Sequence, residues 1–378
     1  LLFPDYDIGS REQVDKFIQD LRTTEVRELV IHSMQTAVAC DIIGLGLAYQ
    51  PREERGEWFG LSKKDAERKG VPYDPDAEIP SAVFPIPDGR KKRQGLGSFY
   101  TDFSIGFFEL LTSINPFSKA YTINRSFVPD FKSGCVTSYR TWINTKTSTN
   151  NPDCYAQCVS VKNRAAGEDM GLAIPIAVAL GWYYALVKPE IEERMRLTMD
   201  IAEAFQFSQP TMMTIWALSD MLNTLSEVGY FCREDLIIYR DFYSTNTDTE
   251  MRRCLGELII HCFDKEFLET FSTDWLKQFK LTYSQQVIVE AFFYLIRISS
   301  QFKNLPFTTV PKECLNEVYG TFKRPNHLGF LFGTLVTLSE QYGNDGQYKL
   351  VIPDSLVKNN GYCARIQENV EKVALCVK

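Results

Sequence analysis

The sequence predicts a mainly α protein: a large helical core with extended, proline-rich irregular excursions and little β. Three observations predict it. After residue 167 most of the chain repeats apolar residues at spacings of three and four, the period of a helix buried along one side. Pro175, Pro189 and Pro210 stand where such stretches begin, in a first turn whose N–H groups have no intrahelical acceptor to lose. The segment 51–98 differs in kind. It crowds Pro, Gly and charge together, as in Val71-Pro72-Tyr73-Asp74-Pro75 and Phe84-Pro85-Ile86-Pro87, and shows neither period.

Residues 1–50 form an N-terminal helical region. Ser10-Arg11-Glu12-Gln13 has the pattern of a capping box, and the helix it opens carries Val14, Phe17, Ile18 and Leu21 on one face. A second apolar stretch runs from Leu29 to Ala48, with Val30, Met34, Ala37 and Val38 on a buried face. Residues 51–98 are an extended insertion, with one short helix expected at Lys63 to Lys69. Loops of this length inside domains are mostly functional or linkers, and in an assembling protein such a segment wraps a neighbouring subunit.

Residues 99–166 are mixed. A helix is expected from Phe99 through Leu111, and Val136 to Ile143 reads as a strand or an irregular loop. Residues 167–378 make the helical core and C-terminal segment. Expected helices cover Leu172 to Val187, Pro189 to about Phe207, and Thr211 to Val228, the last stopped by Gly229. Others cover Asp235 to Tyr243, Thr249 to Phe263, Lys265 to Phe271 and Ser284 to Phe302, the last with Val287, Ile288, Ala291, Phe292, Leu295 and Ile296 on a wide face. Pro311 to Phe322, Leu328 to Tyr342 and the tail Ala364 to Val377 complete the set, with Leu350-Val351-Ile352 as a short candidate strand. No flexible linker separates two well-formed halves, so a single elaborated domain is expected.

Composition narrows the function classes. With 378 residues, 44% of them hydrophobic, the chain has ample core material. A net charge of -7 excludes a globally basic nucleic-acid binder but leaves room for a local basic patch. Aromatic residues reach 13%; rings fill cores, and an excess this size also suits extensive subunit contact. The 10 cysteines are scattered through apolar stretches, which fits reduced thiols in an intracellular setting rather than a disulfide scaffold. No apolar stretch is long enough to span a bilayer, and no signal peptide is visible. The chain begins at Leu1 rather than Met, from which a missing start is expected, with an N-terminal arm lost there.

The chemistry-bearing residues build no familiar constellation. The three histidines, His32, His261 and His327, include no pair at metal-ligand spacing, and no nucleophile elbow, P-loop or dinucleotide fingerprint accompanies them. Cys154 with Cys158, and His261 beside Cys262, lack the second pair that a structural zinc site needs. Gly44-Leu45-Gly46 and Gly95-Leu96-Gly97 do not sit between a strand and a helix. Two clusters remain. Arg90, Lys91, Lys92 and Arg93 are the only dense basic run and the candidate RNA contact; the same four residues also make an ordinary solvated loop. Asp220, Asn223 and Glu227 lie at i, i+3 and i+7 on one helix face, a spacing that lets three oxygens hold magnesium opposite a diphosphate. That run resembles the second metal motif of class I terpene synthases. The chain has no partner aspartate-rich motif on an earlier helix, since Asp74-Pro75-Asp76 falls in the proline-rich loop. A polar helix face is the alternative.

As a whole, the chain resembles the coat (capsid) proteins of small double-stranded RNA viruses of the partitivirus kind. The likeness lies in size, helical bulk, aromatic and proline-laden excursions, reduced cysteines and the missing start, not in one motif. The resemblance implies a structural protein rather than an enzyme, with no catalytic residues, cofactor or metal. It implies coat-protein dimers built into an icosahedral shell around RNA, an N-terminal arm inside near the genome, and a viral RNA polymerase as a further partner. It places the chain in the virion and the host cell cytoplasm, with no membrane partner. An RNA-encapsidating nucleoprotein of a negative-strand RNA virus is the neighbouring expectation. Its basic groove would draw on Arg90, Lys91, Lys92, Arg93, Lys162 and Arg164. An all-helical, terpene-synthase-like enzyme is the third.

Overall fold

A computed structural model describes residues 26–48, 97–118, 171–228, 254, 273–301, 325–339 and 362–376. Among the described residues there are helices and short connections and no strand, so the fold is mainly α. The helices are α1 (Val26–Ala48), α2 (Phe99–Ile114), α3 (Ala173–Val187), α4 (Ile191–Phe205), α5 (Gln209–Val228), the single turn α6 (Thr273–Leu276), α7 (Tyr283–Gln301), α8 (Pro325–Ser339) and α9 (Tyr362–Cys376).

Helix α3 is the axis of the core. Its sequence is apolar all round, and every residue from Ala173 to Ala185 is buried. Pro175 sits in its first turn, as its position predicts. The helix stops at Lys188, which adopts the left-handed conformation at φ 51° and donates its backbone N–H to the Tyr184 carbonyl at 2.7 Å. Around α3 pack α5, α2, α1 and α9. The Trp182 indole, buried on this axis, donates Nε1–H to Ser33 Oγ on α1 at 3.0 Å.

Among the described helices, the most extensive pairing is α1 against α8. Small residues allow it. A Cβ placed on Gly44 would lie 2.5 Å from the Asn326 Cα, and one on Gly333 would lie 2.8 Å from the Cys40 Sγ. Gly44 thus serves helix packing. Val30, Met34, Ala37 and Val38 are all buried as their spacing predicts. From Thr36 to Gly44 every residue of α1 is buried, Asp41 included.

Most expected helices lie where the pattern put them, with small shifts that local chemistry explains. Helix α8 begins at Pro325, three residues before the expected Leu328, because proline is suited to the first helical position. Helix α4 ends at Phe205 because Gln206 turns left-handed at φ 55°. Val287, Ile288, Ala291 and Phe292 are buried on α7. The helix expected at residues 10–21, the insertion up to residue 96, the candidate strands at 136–143 and 350–352, and the helices expected at 235–243, 265–271 and 311–322 lie outside the described residues. So does the helix expected at 249–263, except for Cys254, which is helical and buried. One continuous cluster of buried apolar side chains draws on all nine of these helices, so residues from both ends of the sequence share a core.

The described aromatic residues take the first of the two places that composition suggested, the core. Among the described residues every Phe, Tyr and Trp is buried or half-buried. Phe330 packs edge-on against Tyr100 at 5.7 Å and Trp182 at 6.1 Å, joining α8 to α2 and α3. Among the described residues the exposed large apolar side chains are not aromatic: Ile191, Met195, Met199 and Leu375.

Candidate assembly surface and the buried polar nodes

Helix α4 carries the surface feature that stands out. Its inner face buries Leu197, Thr198, Ile201 and Ala202, while Ile191, Met195 and Met199 are 51%, 42% and 54% exposed. These three residues recur every fourth position, so they form one continuous ridge along the helix. With about half of each side chain in water, the burial energy left for a partner surface to recover is on the order of 1 kcal/mol each. Exposed Glu192, half-buried Arg196 and exposed Glu203 border the ridge on its solvent side. Glu190 opens the helix, and its backbone N–H donates to Glu193 Oε2 at 3.3 Å.

Beneath this helix lies the terpene-synthase-like run. The Arg194 Nη1 is 2.5 Å from Asp220 Oδ1, with both side chains mostly buried. The guanidinium also lies 6.0 Å from the ring centres of both Tyr184 and Trp216. Asn223 Nδ2–H donates to Glu227 Oε1 at 3.2 Å, and Glu227 is exposed while Asn223 is buried. The helical spacing is therefore as expected, and Asp220 pairs with Arg194 of the chain itself. Among the described residues no group of three or more His, Cys, Asp and Glu could hold a metal ion.

A second polar node joins α1, α2, α8 and α9. Asp41 accepts from the Ser98 backbone N–H, the Ser98 hydroxyl and the Thr101 hydroxyl, each at 2.6 Å. Ser98 is itself the N-cap of α2, its Oγ accepting from the Tyr100 N–H at 3.1 Å. A buried carboxylate thus sits at the positive end of α2 and caps the cap. Burial raises its pKa to about 6 despite the hydrogen bonds from Ser98, Thr101 and Asn326 that favour the charged form. Nearby, the Tyr362 hydroxyl donates to Asp102 Oδ1 at 2.7 Å and accepts the Gly97 N–H at 3.3 Å, and burial pushes that phenol upward. Further along α2, Glu109 receives Arg365 of α9 in a two-pronged clasp at 2.8 and 2.9 Å, with Asn369 Nδ2–H at 3.2 Å.

Two of the three histidines, His32 and His327, are among the described residues. His327 is buried, stacks on Tyr100 at 3.9 Å and pairs Nδ1 with the Tyr283 hydroxyl at 2.7 Å. His32 is half-buried on α1, and His261 lies outside the described residues. Glu290 is buried on α7 beside Gln286, which donates at 3.3 Å, and burial pushes its pKa up to about 8. Sequence spacing missed Asp41 and Glu290 as members of the interior, because acidic residues on apolar helices carry no mark of which neighbour they meet.

The basic run Arg90, Lys91, Lys92 and Arg93 lies outside the described residues, as do Lys162, Arg164, Cys154 and Cys158. Of the cysteines, Cys40 and Cys254 are buried and Cys363 is half-buried. Among the described residues no helix is long and apolar enough to cross a membrane. No protein-family model and no curated protein matches the chain.

Proposed function

We propose that the chain is a viral coat protein that assembles with copies of itself, as dimers and then as an icosahedral shell, around an RNA genome. The observation that carries this reading is the exposed ridge Ile191, Met195 and Met199, an outward apolar surface on an otherwise well-buried helical body. The interior supports it. Asp220 is engaged by Arg194, Asp41 by the α2 cap, and His327 by two tyrosines, so these groups hold helices together. In this reading Arg90, Lys91, Lys92 and Arg93 touch the RNA backbone, and a viral polymerase is a further partner inside the shell.

The test is size exclusion with light scattering on the native protein, reading absorbance at 260 and 280 nm. A closed megadalton particle carrying nucleic acid is the expected result. Open rings or filaments with RNA would replace the coat-protein reading by the nucleoprotein one. A monomer or dimer free of nucleic acid would overturn both.

A further inference from the structure

From the α4 ridge we infer that α4 of one copy packs antiparallel against α4 of a second copy, about a two-fold axis beside Met195. The inference rests on the self-assembly reading above and names the contact that carries part of it. A ridge of residues spaced by four is the element that interdigitates when two helices cross in the commonest packing class, at about -50°. Two copies of the same ridge are complementary only about a two-fold axis, where residue i meets residue j and j meets i.

The position of the charges selects the antiparallel sense. With Met195 at the axis, Ile191 of one copy meets Met199 of the other, at both ends of the crossing. The solvent-side flanks of the two helices then face each other. Glu192 lies three positions before the axis and Arg196 one position after it, so Glu192 of each copy comes level, within about 3 Å along the helix, with Arg196 of the other. Two reciprocal opposite-charge pairs result. Parallel pairing puts the Glu192 and Arg196 flank of one copy against the body side of the other and forms no such pairs. A single helix crossing is smaller than the roughly 800 Å² per partner of a stand-alone interface. The contact is therefore weak alone and acts within a larger assembly, where repeated contacts add.

The experiment uses the full chain. Met195→Cys, oxidised in assembled protein, is expected to link position 195 to position 195 of a second copy, read by mass spectrometry of the joined peptides. Ile191→Cys and Met199→Cys are expected to link to each other only when the two variants are mixed. Charge gives an independent readout. Copies with Arg196→Glu and copies with Glu192→Arg are each expected to assemble at least tenfold less well alone and to recover when mixed. An ion pair internal to one helix would not recover on mixing. Particles that form normally while position 195 links to another segment of the chain, or to nothing, and while mixing restores nothing, would overturn the inference and leave the coat-protein reading standing. A chain that remains a monomer under all conditions overturns both.

Discussion

At Asp41, desolvation opposes three hydrogen-bond donors at 2.6 Å and prevails, raising the pKa from 3.8 to about 6. The folded chain therefore holds a proton between about pH 4 and pH 6 that the unfolded chain has released. Stability contributed by this group is present below pH 4, falls as pH rises through that window, and is flat above it. A tenfold change in proton affinity is about 1.4 kcal/mol, so the loss is on the order of 3 kcal/mol. Chemical denaturation from pH 4 to 7 is expected to show a steeper fall in stability in the native protein than in Asp41→Asn, which keeps only the fall contributed by Glu290, raised to about 8 by its own burial. Equal slopes would remove Asp41 as its source. A second residue-scale prediction concerns Asp220. Replacing it with Asn strands Arg194 between two rings and is expected to cost about 2 kcal/mol or more, while magnesium leaves the melting temperature of the native protein unchanged. Magnesium that raised the melting temperature of the native protein but not of the variant would instead favour the metal reading of Asp220, Asn223 and Glu227.

Between elements, the α1–α8 crossing and the α9 clasp give contrasting predictions. At Gly44 the obstacle is the backbone of Asn326 and the preceding Pro325, which no rotamer change can clear. Gly44→Val is expected to destabilise the protein by about 1–3 kcal/mol or more, seen as a lower urea midpoint at unchanged slope. A midpoint within error of the native one would show that α1 and α8 separate freely. The Glu109–Arg365 clasp has good two-pronged geometry, but each side chain is about a quarter exposed, so solvent screens it. A double-mutant cycle with Glu109→Gln and Arg365→Ala is expected to give a coupling of about 0.5–1 kcal/mol. Zero coupling would leave α9 held by its buried residues Tyr362, Ile366, Val370 and Val373 and by the Asn369–Glu109 hydrogen bond.

For the whole molecule, the question is whether assembly and RNA binding share a surface. In the coat-protein reading they do not: copies meet through apolar contact and RNA is held through charge. Replacing Arg90, Lys91, Lys92 and Arg93 by neutral residues is expected to lower the RNA content of particles while their yield stays the same. Loss of assembly together with RNA would point to a nucleoprotein, whose polymer is built along its RNA.

The sequence by itself determined the fold class and most described helix positions. A period of three and four, proline at the first turn and a buried all-apolar stretch at α3 are local patterns, and a helix satisfies its backbone locally. The spacing of Asp220, Asn223 and Glu227 was legible for the same reason. What those residues face was not. Arg194 meets Asp220, Asp41 meets Ser98 fifty-seven positions away, and Tyr362 meets Asp102 across most of the chain, because tertiary packing brings distant helices together. The α4 ridge shows the same division. Ile191, Met195 and Met199 are as apolar as any core stripe, and only the packing of α4 on α5 through its other face decided that this stripe is left in water.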